Sequence, residues 1–157
     1  MKDIITPQEW IENWQSNRRL TRKVIETFPE KELFEFSVGG MRPFANLADE
    51  LLYIADLAMK QFIENQIIEF SNYIGYAGKT KAEILANWDN TTALIEAFGK
   101  ETPQERYREV FNLFGMFNYS VIDNLTYLVE NEIHHRGQGY VYLRALNIEP
   151  PAFYSEF

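Results

Sequence analysis

The chain has 157 residues, 46% of them hydrophobic and 15% aromatic, with a net charge of −8 and no cysteine. One domain of this size buries roughly two thirds of its unfolded surface, so no disulfide or metal staple is needed. The composition excludes disorder and any thiolate nucleophile or ligand, and its acidic balance argues against nucleic-acid and anionic-membrane binding. No apolar run reaches the ~20 residues that span a bilayer. Residues 1–7 carry no apolar signal core, so a cytoplasmic location is expected.

The punctuation along the chain is helical. Thr6-Pro7-Gln8-Glu9 reads as a capping box with proline at the first helical position. Its helix carries Trp10, Trp14, Val24 and Phe28 and is expected to stop before Pro29. A second helix starts either at Asn46-Leu47-Ala48-Asp49 or nearer Pro43, and runs through Leu51, Ile54, Ala58 and Phe62 toward Phe70. Residues 72–78, with two glycines and two tyrosines, read as a loop. Thr80-Lys81-Ala82-Glu83 is another capping box, whose helix passes Ile84, Trp88 and Ile95. Gly99 suits the position just past that helix's end. Thr102-Pro103-Gln104-Glu105 opens a short turn of helix. Residues 110–119 are aromatic, contain Gly115, and fit either a strand or a connector. Ser120-Val121-Ile122-Asp123 begins the last long helix, which ends near Asn147, before Pro150-Pro151 and an aromatic tail of Phe153, Tyr154 and Phe157. Four long amphipathic helices, with no repeat or linker, imply an all-α four-helix bundle forming a single domain over residues 1–157.

The chain's two histidines are adjacent, in the stretch Asn131-Glu132-Ile133-His134-His135-Arg136-Gly137-Gln138. Adjacent helical positions point about 100° apart, so His134 and His135 cannot serve one site equally. His135 shares a stripe with Asn131, four residues earlier. Two histidines at that spacing are a common way for one helix to hold a metal. Here the first position is asparagine.

The run from His134 to Pro151 resembles the C-terminal signature of the DinB/YfiT-like family. Trp14, Asn17-Arg18 and Arg42-Pro43-Phe44 fit the same resemblance. Those are small bacterial four-helix proteins, often stress-linked, many with a three-histidine metal site. The resemblance implies a long crossover connection between the second and third helices. It also implies a ligand set of Tyr53 on the second helix with Asn131 and His135 on the last. Only His135 of these is an imidazole. Glu50, three residues before Tyr53, is a candidate to share its face. One imidazole with weak oxygen donors holds Zn²⁺ or Ni²⁺ poorly. The expectation is therefore a degenerate site with no cofactor, and the alternative is zinc or nickel at Glu50, Asn131 and His135. The plainer reading of His135 is a buried neutral histidine hydrogen-bonded to Tyr53 or Asn131.

His134 and Arg136 are the candidate ligand-binding residues. The Arg136 fork suits a carboxylate, with Glu130 and Glu132 nearby, or another helix's carbonyls. Gly137 and Gly139 suggest close approach of another helix or of a partner chain, which makes a homodimer the expected assembly. Phe111, Phe114, Phe117 and Tyr119 read as core before pocket lining. No phosphate loop, dinucleotide fingerprint or nucleophile elbow is present. Three functions remain. The favoured one is a stress-associated bundle that binds a small ligand beside a degenerate metal site. The others are a metal-dependent enzyme of the thiol S-transferase, isomerase or hydrolase type, as the resemblance allows, and a structural homodimer without catalysis.

Overall fold

The computed structural model describes residues 4–154, so Phe157 of the aromatic tail lies outside it. The described residues form helices α1 (Pro7–Thr27), α2 (Glu30–Glu35), α3 (Phe44–Glu64), α4 (Lys81–Glu101) and α5 (Val121–Ala145). A 3-10 turn at Gln104–Arg108 leads into a hairpin of β1 (Val110–Leu113) and β2 (Phe117–Ser120). Both capping boxes form: Glu9 N–H donates to the Thr6 hydroxyl while Thr6 N–H donates to the Glu9 carboxylate, and Thr80 and Glu83 repeat the exchange. Each such cap stabilises its helix by about 1 kcal/mol.

Of two starts the sequence left open for α3 the structure takes the earlier, and two other boundaries differ from the sequence reading. Pro43, not Asn46, is the N-cap of α3, and Asn46 N–H bonds back to the Pro43 carbonyl at 3.0 Å. That helix stops at Glu64 instead of running toward Phe70, because Asn65 turns left-handed at φ 51°, a conformation asparagine tolerates. Gly99 lies inside α4, not past its end. A Cβ there would meet Ile11 of α1 at 2.9 Å, so the glycine serves helix approach instead of termination.

Helix α1 packs on α4 and α5, and α3 packs on the same two. So α1 lies diagonally opposite α3, and α4 opposite α5. The connection 65–80 returns along the length of α3. Gln61 accepts from Ile68 N–H, Tyr53 from Ser71 N–H, and Asp49 from both Gly75 and Ala77 N–H. Each successive contact lies nearer the start of α3, so α4 begins beside that start and runs parallel to α3. This is the four-helix bundle expected from the sequence, with the crossover that the family resemblance implies.

The aromatic segment resolves as a hairpin, with Val110 opposite Ser120 and Leu113 opposite Phe117. Its turn places Phe114 at φ 57° and Gly115 at φ 73°. Phe114 N–H donates to the side-chain Oε1 of Gln61 at 3.1 Å, as Ile68 N–H does, so one buried glutamine ties both crossover and hairpin to α3. The apolar core has two parts. One groups Ile11, Trp14, Phe62, Phe98, Leu113 and Leu125, the other Val24, Phe28, Leu52, Trp88, Tyr142 and Leu143. Between them the helices carry a polar layer. No described helix is long and apolar enough to cross a membrane.

Candidate functional site

The polar layer has two halves, set by adjacent stripes of α5. One stripe is Tyr127, Asn131 and His135, spaced four apart, and it faces Glu50 of α3. Glu50 Oε1 accepts from Asn131 Nδ2 at 3.3 Å and stands 3.1 Å from His135 Nε2. Its Oε2 pairs with Arg42 Nη1 at 2.7 Å and accepts from the Tyr73 hydroxyl at 3.3 Å. Arg42 Nη1 also donates to Tyr73 at 2.8 Å. On its other side, His135 Nδ1 lies 2.7 Å from Gln138 Oε1. His135 is 6% exposed, whereas the Arg42 side chain is 40% exposed. The hydrogen bond from His135, with help from Arg42 and Asn131, outweighs burial and holds the Glu50 carboxyl down to about 2. The Tyr127 phenol is pushed up, by burial first and by the Glu50 charge second.

Aromatic rings border this network. Tyr73 edges onto Phe70 at 5.8 Å, Phe70 onto Phe114 at 5.4 Å, and Phe114 onto Phe117 at 6.3 Å. Phe117 then meets Tyr127 at 5.0 Å, which returns the path to the α5 stripe. A polar centre with a half-exposed guanidinium thus sits beside an aromatic shelf.

The structure brings Glu50, Asn131 and His135 together, but it sends Tyr53 elsewhere. The Tyr53 hydroxyl lies 2.7 Å from Ser71 Oγ and accepts from Ser71 N–H at 3.0 Å. Its ring packs edge-on against Phe70 and Tyr76, both at 5.1 Å. Tyr53 therefore anchors the crossover, and His135 bonds to Glu50 and Gln138 in place of the expected Tyr53 or Asn131. His134 is exposed, its ring T-shaped against His135 at 5.1 Å. Arg42, Tyr73 and Gln138 complete the network. Arg42 and Gln138 stood within the motif residues, while nothing in the local pattern around Tyr73 signals its role.

Arg136 belongs to the other half of the layer. It is buried, with Nη1 donating to the Asn17 carbonyl at 3.1 Å and Nη2 to Asn17 Oδ1 at 2.8 Å. It caps an α1 carbonyl, one of the two roles open to it from sequence, and does not line the Glu50 network. Glu132 beside it accepts from Trp14 Nε1 at 3.1 Å and from the Thr21 hydroxyl at 2.6 Å. Arg18 Nη1 lies 3.8 Å from Glu132, too long for a hydrogen bond and left without one, so the pair acts through charge alone. Burial pushes both guanidinium groups down, and Glu132 opposes it. Arg18 also stacks on Trp88 at 4.2 Å and donates to the Trp88 carbonyl. Gly139 accommodates Phe44 of α3, whose ring would lie 2.5 Å from an added Cβ, so that close approach is internal. Nothing lies within 4 Å of the corresponding point at Gly137.

The donor set does not fit a zinc or nickel ion. Among the described residues no three His, Cys, Asp or Glu side chains gather to hold one. At the expected position only Glu50 and His135 are strong donors, and the carboxylate already faces the Arg42 cation.

A family model described as the DinB family matches residues 1–157. No curated protein matches the sequence. A crystal structure of a DinB-like protein from Bacillus cereus ATCC 10987 superposes with a TM-score of 0.73 and 18% identity, covering 92% of this chain and 95% of the other. A DinB-like protein of Bacillus subtilis, YjoA, gives 0.66 and 18%, covering 92% and 97%. At these identities the two structures speak for the fold.

Proposed function

This chain belongs to the DinB family, and we propose that within it the protein is a stress-associated, small-ligand-binding bundle in which an internal ion pair stands where relatives place a metal. The observation that carries this reading is the saturation of Glu50 by Arg42, Tyr73, Asn131 and His135. A carboxylate so engaged has little left to offer a divalent ion, and Arg42 supplies the compensating positive charge. Metal-dependent thiol transfer or hydrolysis finds no matching ligand set in these residues.

Arg42 also indicates the ligand. One of its nitrogens serves both Glu50 and Tyr73, while Nε and Nη2 have no partner among the described residues. A guanidinium edge half open to solvent suits a carboxylate, and the Tyr73–Phe70 rings beside it suit an apolar body. The fitting class is a small aromatic or aliphatic carboxylate, with His134 at the rim. Calorimetric titration of untagged protein with benzoate tests this, alongside elemental analysis. Saturable binding that Arg42→Ala weakens about tenfold, with substoichiometric metal, is the expected result. Stoichiometric zinc or nickel at submicromolar affinity in the parent refutes the ion-pair reading. Benzoate binding indifferent to Arg42→Ala refutes the ligand assignment.

A further inference from the structure

On a different flank of α3, toward α4, lies a cavity of about 390 Å³ lined by Asp56, Tyr76, Asn87, Asn90, Thr91 and Leu94. It is separate from the Glu50 network, which faces α5. Asp56 sits at its wall, and its two oxygens are addressed by hydroxyl groups only. Thr91 Oγ1 donates to Oδ1 at 2.7 Å and the Tyr76 phenol to Oδ2 at 2.9 Å. No lining residue is basic. Arg18 feels the Asp56 charge, but it is 1% exposed and stacked against Trp88. Among the described residues the carboxylate has no ion-pair partner as it faces the cavity, an arrangement that leaves lone pairs for a further donor.

The rest of the lining completes the picture. Asn87 Nδ2 is spent on the Ala77 carbonyl at 2.7 Å, and its side-chain Oδ1 remains as an acceptor. Asn90 is exposed at the mouth and adds a further amide oxygen. Leu94 and the Tyr76 ring supply apolar surface. The Tyr76 phenol stays protonated at every working pH, since burial and the Asp56 charge push it up to about 12. It holds the carboxylate in place without competing as an anion.

We propose that this cavity binds a small primary amine as its ammonium ion. The three ammonium N–H donors meet Asp56, Asn87 and Asn90, and a short alkyl arm lies along Leu94 and Tyr76. A cation paired with one carboxylate through charge-assisted hydrogen bonds, plus a few buried methylenes, is the chemistry this wall satisfies. The volume stands near the lower end of ligand-sized pockets, which limits the arm to a few carbons. The net charge of −8 favours arrival of a cation.

The test is an NMR titration of the full chain with n-butylammonium chloride at fixed ionic strength, against tetramethylammonium chloride and 1-butanol. Saturable shifts centred on residues 56, 76, 87, 90, 91 and 94, with a dissociation constant on the order of 1 mM, are expected. Tetramethylammonium has the charge without the donors, and butanol the arm without the charge, so each is expected to bind at least about tenfold more weakly. Asp56→Asn keeps an oxygen for Thr91 or Tyr76 and removes the charge, and is expected to weaken butylammonium by a similar factor. Should that variant fail to fold, the ligand series on the parent protein decides alone. The proposal is overturned by equal binding of the three probes, by shifts mapping to another face, or by a folded Asp56→Asn that binds undiminished.

Discussion

Replacing Glu132 by glutamine removes one charge from the buried layer between α1 and α5 with little change of volume. Two guanidinium groups depend on that charge. Arg18 is 1% exposed and its Nη1 has no other described partner, while Arg136 is 8% exposed. At 3.8 Å and an effective dielectric of about 20, the Arg18–Glu132 attraction alone is on the order of 4 kcal/mol. The amide is also a poorer acceptor. Its single oxygen serves either Trp14 Nε1 or the Thr21 hydroxyl, and its NH₂ then faces the other donor. Breaking one side of a buried ion pair costs roughly 3–5 kcal/mol. In a domain of this length that lowers Tm by about 10 °C. Urea unfolding followed by far-ultraviolet circular dichroism, with the slope checked for constancy, measures the loss. A destabilisation below about 1 kcal/mol would show that Arg18 and Arg136 are held by their carbonyl and Trp88 contacts without Glu132. A companion triple variant separates charge from packing. Arg18→Met, Glu132→Leu and Arg136→Met together should recover much of the loss, because no buried charge is then left unpaired.

Four further outcomes follow from the same geometry. Glu50 titrates at about 2 in the fold against an ordinary 4.5, so its stabilisation is present above pH 4.5 and lost as pH falls toward 2. Acid denaturation of Glu50→Gln should therefore be shallower across that window, and parallel curves would remove the Glu50 network as its source. Gly139→Ala should cost about 1–3 kcal/mol, since the new Cβ meets the Phe44 ring at 2.5 Å, whereas Gly137→Ala at an open helical site should stabilise by up to about 1 kcal/mol in the same urea assay. Gln61→Leu should cost about 2 kcal/mol or more by orphaning the Ile68 and Phe114 amides, and hydrogen exchange at those two positions should rise above that of the α5 core. Asn131→His combined with Arg42→Ala frees Glu50 and adds a second imidazole at i, i+4 spacing. Calorimetry should then detect zinc at micromolar affinity or better, and a folded double variant with none would show that positions 50, 131 and 135 do not make a ligand set.

Much of the architecture was legible in local chemistry. The two capping boxes at Thr6 and Thr80, the proline and glycine punctuation and the 3.6-residue periodicity act within one turn of helix, so they need no knowledge of the rest of the chain. The same holds for the Asn131–His135 stripe, which helical geometry places on one face. The family resemblance added the crossover, which local spacing does not encode. Tertiary structure decided what local pattern leaves open. The αL turn at Asn65, not hydrophobic period, ended α3, and a hairpin at residues 110–120 formed because the Gln61 amide and α3 were there to receive it. Gly99 reads as a helix stop, yet it lies inside α4 because Ile11 of a distant helix needs the space. Tyr53 and Arg136 sit beside the site in sequence and turn away from it in space. Ser71 claims the first hydroxyl, and the α1 carbonyl at Asn17 claims the second side chain. The strongest hold on Glu50 comes from His135, with Arg42, just ahead of α3, behind it, and Tyr73 joins them only once the crossover lies down along α3. Hydrogen bonds between residues far apart in the chain are chosen by the packed bundle, because a buried donor or acceptor takes whichever partner the fold brings within about 3 Å.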